Sequence, residues 1–261
     1  YQLIFSIIKG GVFGKDTKIN LRLIDIEAMR EKVEAVVMEI QDCAPSLLSS
    51  CEIASDQELD KGFLNIDFAF LVGASPRLAG MERSDLLIKN GGIFKHQGRA
   101  LNQYAKRSVQ VLVVGNPCNT NAVIVKSHAP DIPSRQFFAM TLLDENRARS
   151  MLSRKLNVGV DEITDLYIYG NHSATQFPDF SNTRSKGNLV TDMIDLDWLT
   201  TEFVPAIQTR GAKVIEARGA SSAASAAWAA AETARMIVSK SNSPFSVAVY
   251  SLGEYGANEG L

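Results

Sequence analysis

An α/β fold is predicted: a doubly wound parallel sheet over residues 1–140, followed by an α+β portion over 141–261. Three observations predict it. Apolar runs of strand length alternate with helical runs through the first half, the pattern of parallel strands covered on both faces by helices. After about residue 145 that alternation gives way to a polar hairpin signal and longer helices. The chain of 261 residues, 46% hydrophobic and 21% charged, can build the core of one large domain or two smaller ones.

The elements follow in order. Leu3, Ile4, Ile7 and Ile8 repeat at helical spacing, so the chain opens inside a helix. INLRLIDI (19–26) reads as a strand and EAMREKVEAVVMEIQDC (27–43) as an amphipathic helix. IDFAFLVGAS (66–75) reads as a strand, and 81–106 as helical with a glycine interruption at Gly91 and Gly92. VQVLVVGNP (109–117) is a valine-rich strand, and NTNAVIVKSHA (119–129) a helix. The helix DENRARSMLSRKLN (144–157) leads to ITDLYIYG, which reads as a buried strand ending just before His172. DFSNTRSKGNLVTD (179–192) reads as a hairpin turning at Lys186-Gly187-Asn188. Residues 195–218 are helical with a break near Pro205 or Gly211, 221–239 form a small-residue helix, and FSVAVYS (245–251) a strand.

Composition excludes some classes. The formal charge is −2, without the basic excess of a nucleic-acid surface. No apolar run approaches the ~18 residues of a membrane span. Cys43, Cys51 and Cys118 are odd in number and lack metal-ligand spacing, so no metal is expected, and a reduced, cytoplasmic setting is the default.

Several residues carry chemistry. Asp25 falls at the carboxyl end of a strand, where an acid in a doubly wound sheet hydrogen-bonds the ribose of a dinucleotide; an aspartate there also suits a helix N-cap. Arg77 and Arg83 flank a Pro- and Gly-containing loop, SPRLAGMERSDLL. Such arginines suit two-point recognition of a carboxylate on a loop that closes like a lid, or are solvated surface charges. Asp144 and Arg147 share a helix face at i,i+3, the spacing of an ordinary ion pair. His172, given a buried carboxylate partner, becomes a general acid–base.

Together these residues resemble the malate dehydrogenase family, in its cytosolic-type branch. The motifs are LIDIEAM, MEIQDCA, LVGASPRLAGMERSDLL, VVGNPCNTN, LDENRA, YGNHSATQFPD and RGAKVIEARGASSAASAA, in family order along nearly the whole chain. The resemblance implies a Rossmann domain and NAD-dependent interconversion of malate and oxaloacetate, a tricarboxylic acid cycle reaction. His172 matches the proton acceptor–donor and Asp144 its carboxylate partner. Arg147 matches the clamp on the substrate carboxylate, Arg83 the mobile arginine on the carbonyl, and Arg77 the reader of the second carboxylate. Asn116 matches a substrate contact, and its peptide to Pro117 is often cis in the family. Asp25, Asn90, Gln97, Val114, Gly115 and Asn116 match NAD contacts. A homodimer is implied, with VEAVVMEIQDCA and the 221–239 helix as candidate faces, though a core role suits both equally.

The family pattern also has an opening strand with a glycine-rich turn before the first helix, and further C-terminal elements. Gly10, Gly11 and Gly14 read as a helix stop, not as that phosphate cradle. Both ends are therefore expected to be cuts, any targeting segment to lie upstream, and the chain as written to bind NAD(H) poorly. Two alternatives remain: another 2-hydroxy-acid dehydrogenase such as lactate dehydrogenase, and a non-catalytic relative with the same fold. Arg77 opposes the first, since a monocarboxylate tail offers a buried arginine no partner. The complete set of His172, Asp144 and three arginines opposes the second.

Overall fold

The computed structural model describes residues 1–75 and 83–260, with the side chains of 83–87 outside the description. The chain forms two compact units, Tyr1–Ala139 with Val249–Leu261, and Met140–Ala248.

In the first unit, α1 (Gln2–Ile8) buries Ile7 and Ile8, as their spacing predicts. β1 (Ile19–Asp25) runs parallel to β2 (Leu48–Ser55), with Asp25 opposite Ser55. The helix expected at 27–43 opens as a 3-10 turn, Glu27–Met29, and continues as α2 (Arg30–Asp42). β2 and the short α3 (Leu59–Phe63) escape sequence reading because LSSCEIAS mixes serines and a glutamate into the strand. Gly62 lets α3 lie against the sheet, since a Cβ there would stand 2.5 Å from Ile24 Cδ1.

β3 (Phe68–Leu71), β4 (Gln110–Val113) and β5 (Phe137–Met140) are parallel, with β4 between the other two. Val111, Leu112 and Val113 are fully buried, which is why β4 reads as a continuous apolar run. The parallel strands fall into two sheets rather than one: β1 pairs with β2 and is not hydrogen-bonded to β3.

α4 (Arg83–Tyr104) runs unbroken through Gly91 and Gly92, so the expected interruption is absent. A helical glycine costs only ~1 kcal/mol, and burial of Phe94 and Leu101 outweighs it. Gly98 is required where α4 crosses α5 (Cys118–Ser127): a Cβ there would stand 2.6 Å from the Val125 carbonyl oxygen.

The second unit opens with α6 (Leu142–Leu156), which stops at Asn157 in the left-handed region, φ 54°. The single buried strand expected before His172 is instead two short ones, β6 (Ile163–Thr164) and β7 (Tyr167–Tyr169), divided at Asp165 with φ 55°. β7 pairs antiparallel with β8 (Phe177–Asp179), and β6 with β9 (Arg184–Ser185). Tyr169 is 40% exposed, so the run is apolar without being buried throughout. β9 and β10 (Asn188–Leu189) form the expected hairpin. Lys186 and Gly187 both have positive φ, 50° and 85°, as a tight two-residue hairpin turn demands.

α7 (Leu196–Trp198) passes through a π-helical turn, Leu199–Phe203, into α8 (Val204–Arg218). The irregularity thus precedes Pro205, whose ring and missing N–H disrupt the preceding turn, and Gly211 is ordinary helix. α9 (Ala224–Val238) and β11 (Val247–Val249) follow, and a 3-10 turn, Glu254–Gly256, is the last element. Leu152 and Ala148 of α6 pack with Ile163, Leu166, Phe203 and Ile207 in the core beneath His172's strand.

Candidate active site

The second unit assembles a charged cluster from two elements. Asp144 lies in the first turn of α6, where the helix dipole favours an anion. Its side chain is 0% exposed, and Oδ1 accepts a hydrogen bond from Arg147 Nη1 at 2.9 Å. The other oxygen, Oδ2, meets His172 Nδ1. Arg147 Nη2 donates to Ser222 Oγ at 3.3 Å, just before α9. The i,i+3 ion pair and the histidine partnership are therefore both present, on the two oxygens of one carboxylate.

That arrangement sets the chemistry of the ring. A carboxylate only accepts hydrogen bonds, so Nδ1 carries the proton and Nε2 is the basic nitrogen. His172 retains 16% side-chain exposure, so the ring is accessible at its edge while its partner is not.

His172 occupies the connection between β7 and β8, whose register pairs Tyr169 with Phe177. Gly170 has φ 83°, and the loop closes through Ser173 N–H to the Asn171 carbonyl at 2.7 Å and Gln176 N–H to the Ser173 carbonyl at 3.1 Å. His172 does follow a strand, as expected, and that strand, β7, belongs to a two-stranded antiparallel sheet. An apolar run of eight residues does not reveal its pairing partner.

The first unit contains the residues expected to touch a dinucleotide. Asp25 is exposed at the carboxyl end of β1, and its Oδ1 accepts from the adjacent Ile26 N–H at 2.8 Å. It caps no helix, because Glu27 N–H is taken by Asp56 Oδ1 at 3.2 Å. A carboxylate presented this way suits ribose hydroxyls. Val114 and Gly115 follow β4, and both N–H groups donate to the Leu71 carbonyl. A Cβ at Gly115 would stand 3.0 Å from the Val72 carbonyl oxygen and 3.1 Å from Phe94, so the two strand ends approach closely only with glycine there. Asn116 is exposed and its peptide to Pro117 is cis.

Asn90 is 0% exposed. Its Oδ1 accepts Ser75 N–H at 2.7 Å, and its Nδ2 donates to the Asn116 carbonyl at 3.4 Å. It ties the two loops that follow β3 and β4. Gln97 Oε1 is buried with no partner among the described residues, the orphan acceptor a bound ligand would satisfy. An exposed carboxylate at a strand end and an orphaned buried amide both fit a dinucleotide.

Arg77 lies outside the described residues, and Arg83 opens α4 with its side chain outside them. Sequence reading missed Ser222 as the second anchor of Arg147, and Asn121, which is 1% exposed and donates to the Gly115 carbonyl at 2.8 Å. Ser222 sits in a run of serines and alanines that marks no particular one, while Asn121 lies within the NTN motif but with no sign of its target.

A parallel α/β unit with an acid at a strand end, and a second unit holding a His–Asp–Arg cluster, are the parts of an NAD-binding dehydrogenase. Residues 1–138 match the NAD-binding domain of lactate/malate dehydrogenases, and residues 141–261 their alpha/beta C-terminal domain. The chain belongs to the lactate/malate dehydrogenase family. It is 49% identical to the malate dehydrogenase of Rubrobacter xylanophilus over 261 residues, 100% of this chain and 80% of that one. The malate dehydrogenase of Naegleria fowleri superimposes with a TM-score of 0.93 at 40% identity, over 99% of this chain and 79% of that one. The lactate dehydrogenase of Trichomonas vaginalis, in complex with NADH and oxamate, superimposes with a TM-score of 0.85 at 35% identity, over 90% and 71%.

Proposed function

We propose that this chain is an NAD-dependent malate dehydrogenase that interconverts malate and oxaloacetate. The observation that carries the reading is the His172–Asp144–Arg147 cluster, with one buried carboxylate joined to both cations. His172 takes the hydroxyl proton at Nε2, and Asp144 stabilises the imidazolium that forms. NAD, when bound, would supply the acceptor for the hydride that leaves the same carbon. Arg147 grips the adjacent carboxylate with its planar fork. Arg83 polarises the carbonyl in the reverse direction, and Arg77 reads the second carboxylate. Asp25 binds the ribose and disfavours the extra phosphate of NADP. Gln97, Val114, Gly115 and Asn116 line the remaining cofactor and substrate contacts, with Asn90 holding their loops.

The reaction is a step of the tricarboxylic acid cycle. A cytoplasmic setting is supported by Cys43, Cys51 and Cys118, all free thiols. A homodimer is supported by the apolar side chains of the candidate faces: Met38 of α2 is 62% exposed and Trp228 of α9 67%. Steady-state rates test the reading. Oxaloacetate should be preferred to pyruvate, and NADH to NADPH. Equal or better efficiency with pyruvate or NADPH would refute the assignment to Arg77 or Asp25 respectively. Sedimentation as a monomer at micromolar concentration would refute the dimer.

A further inference from the structure

Glu145 adjoins Asp144, yet no step above uses it. It is 5% exposed, a buried carboxylate in the first turn of α6. Its Oε2 accepts the Ser246 backbone N–H at 2.8 Å, and the Ser246 hydroxyl bonds to it as well. Ser246 Oγ in turn accepts the Ile168 backbone N–H at 2.9 Å. Ile168 is the middle residue of β7, four residues before His172, and lies opposite Pro178 of β8.

α6 therefore holds His172's segment twice. Asp144 reaches the imidazole itself, and Glu145, through Ser246, reaches the backbone of the strand behind it. The two carboxylates are neighbours on one helical turn, so the helix fixes the spacing between these anchors.

The environment of Glu145 is poor for a charge. Burial pushes its carboxyl above the usual carboxylate range, opposed by the Ser246 hydrogen bonds and by Arg149. Arg149 stands off at 3.9 Å on the same helix, Glu232 of α9 adds repulsion, and Tyr167 of β7 lies within its field. A group retained at such cost for stability alone is readily replaced by a neutral one.

We propose that Glu145 is a positioning residue for proton transfer, holding β7 through Ser246 so that the His172 ring keeps its alignment with Asp144. This rests on the malate dehydrogenase reading for its kinetic consequence but not for its geometry. Glutamine at 145 keeps a single acceptor oxygen, where the carboxylate meets both the N–H and the hydroxyl of Ser246.

The test compares Glu145→Gln, Ser246→Ala and the double variant. We expect kcat for oxaloacetate reduction to fall about tenfold in each single variant, with NADH affinity by fluorescence unchanged. The double variant should lose no more than either single one, because both act through one chain of hydrogen bonds. In the wild type, reduction should weaken on the acid side as Glu145 protonates, and Glu145→Gln should lack that limb. The sign of the stability effect differs from that of activity. A carboxyl raised in the folded state favours folding at low pH and loses that contribution as pH rises through its folded value. Glu145→Gln should therefore melt no lower than wild type near neutral pH.

A lower melting temperature with unchanged kcat per folded molecule would make Glu145 purely structural and overturn the proposal. So would single losses that multiply in the double variant. The NMR resonance of the His172 Nδ1 proton reads the geometry without turnover. If it shifts or broadens in both variants while wild type lacks malate turnover, the substrate reading fails and the positioning role stands. If it is unchanged in both, the positioning role fails.

Discussion

Asp144→Asn changes charge without changing shape, and its consequence follows from the two bonds on Asp144. The asparagine carbonyl can still accept from Arg147, at the position where Oδ1 now lies 2.9 Å from Nη1. Its amide must then face His172 Nδ1, donor against donor. The ring relieves this by taking the other tautomer, which places the proton on Nε2 and abolishes the base. The same substitution beside a triad histidine in serine proteases lowers kcat by about 10⁴, or roughly 5 kcal/mol of barrier, and we expect that magnitude for malate oxidation. Breaking a buried ion pair costs about 3–5 kcal/mol in stability. The lower end applies here, because Arg147 keeps Ser222 and 14% side-chain exposure. Initial rates of NADH formation at saturating malate, with thermal unfolding of the same preparation, measure both effects. A folded variant within tenfold of wild-type kcat would refute the tautomer argument, since it would show that His172 does not depend on Asp144 for its proton.

Other changes separate the remaining roles. His172→Asn should reduce turnover by about 10²–10⁴-fold and leave NADH titration by fluorescence largely intact; parallel loss of both would make His172 structural. Arg77→Gln should shift the oxaloacetate-to-pyruvate ratio of kcat/KM toward pyruvate, and an unchanged ratio would place Arg77 outside the site. Gly98→Ala should destabilise the first unit by about 1–3 kcal/mol through overpacking, because the new Cβ would lie 2.6 Å from the Val125 carbonyl oxygen. A melting temperature equal to wild type would show that α4 and α5 can separate without loss.

Much of this protein was legible in its sequence alone. Strands such as β4, buried on both faces, declare themselves as apolar runs, and helices such as α1 by their periodicity, because these signals are local. The members of the charged cluster were legible for a similar reason: His172, Asp144 and Arg147 sit in distinctive motifs, and Asp144 and Arg147 are placed together by helical spacing. What lay beyond the sequence depended on pairing across distance. β2 was missed because its serines mask a strand whose stability comes from its parallel partner. The run before His172 was read as one buried strand because nothing local shows that Asp165 turns the chain or that β7 pairs backward with β8. Gly91 and Gly92 looked like a break because glycine is a poor helix former, yet the packing of Phe94 and Leu101 overrides that preference. Only the tertiary structure puts Ser222 on Arg147, and Ser246 between Glu145 and Ile168. Those residues are 75 to 101 positions apart from at least one of the partners they join, and a hydrogen bond across such a span leaves no periodicity in the chain.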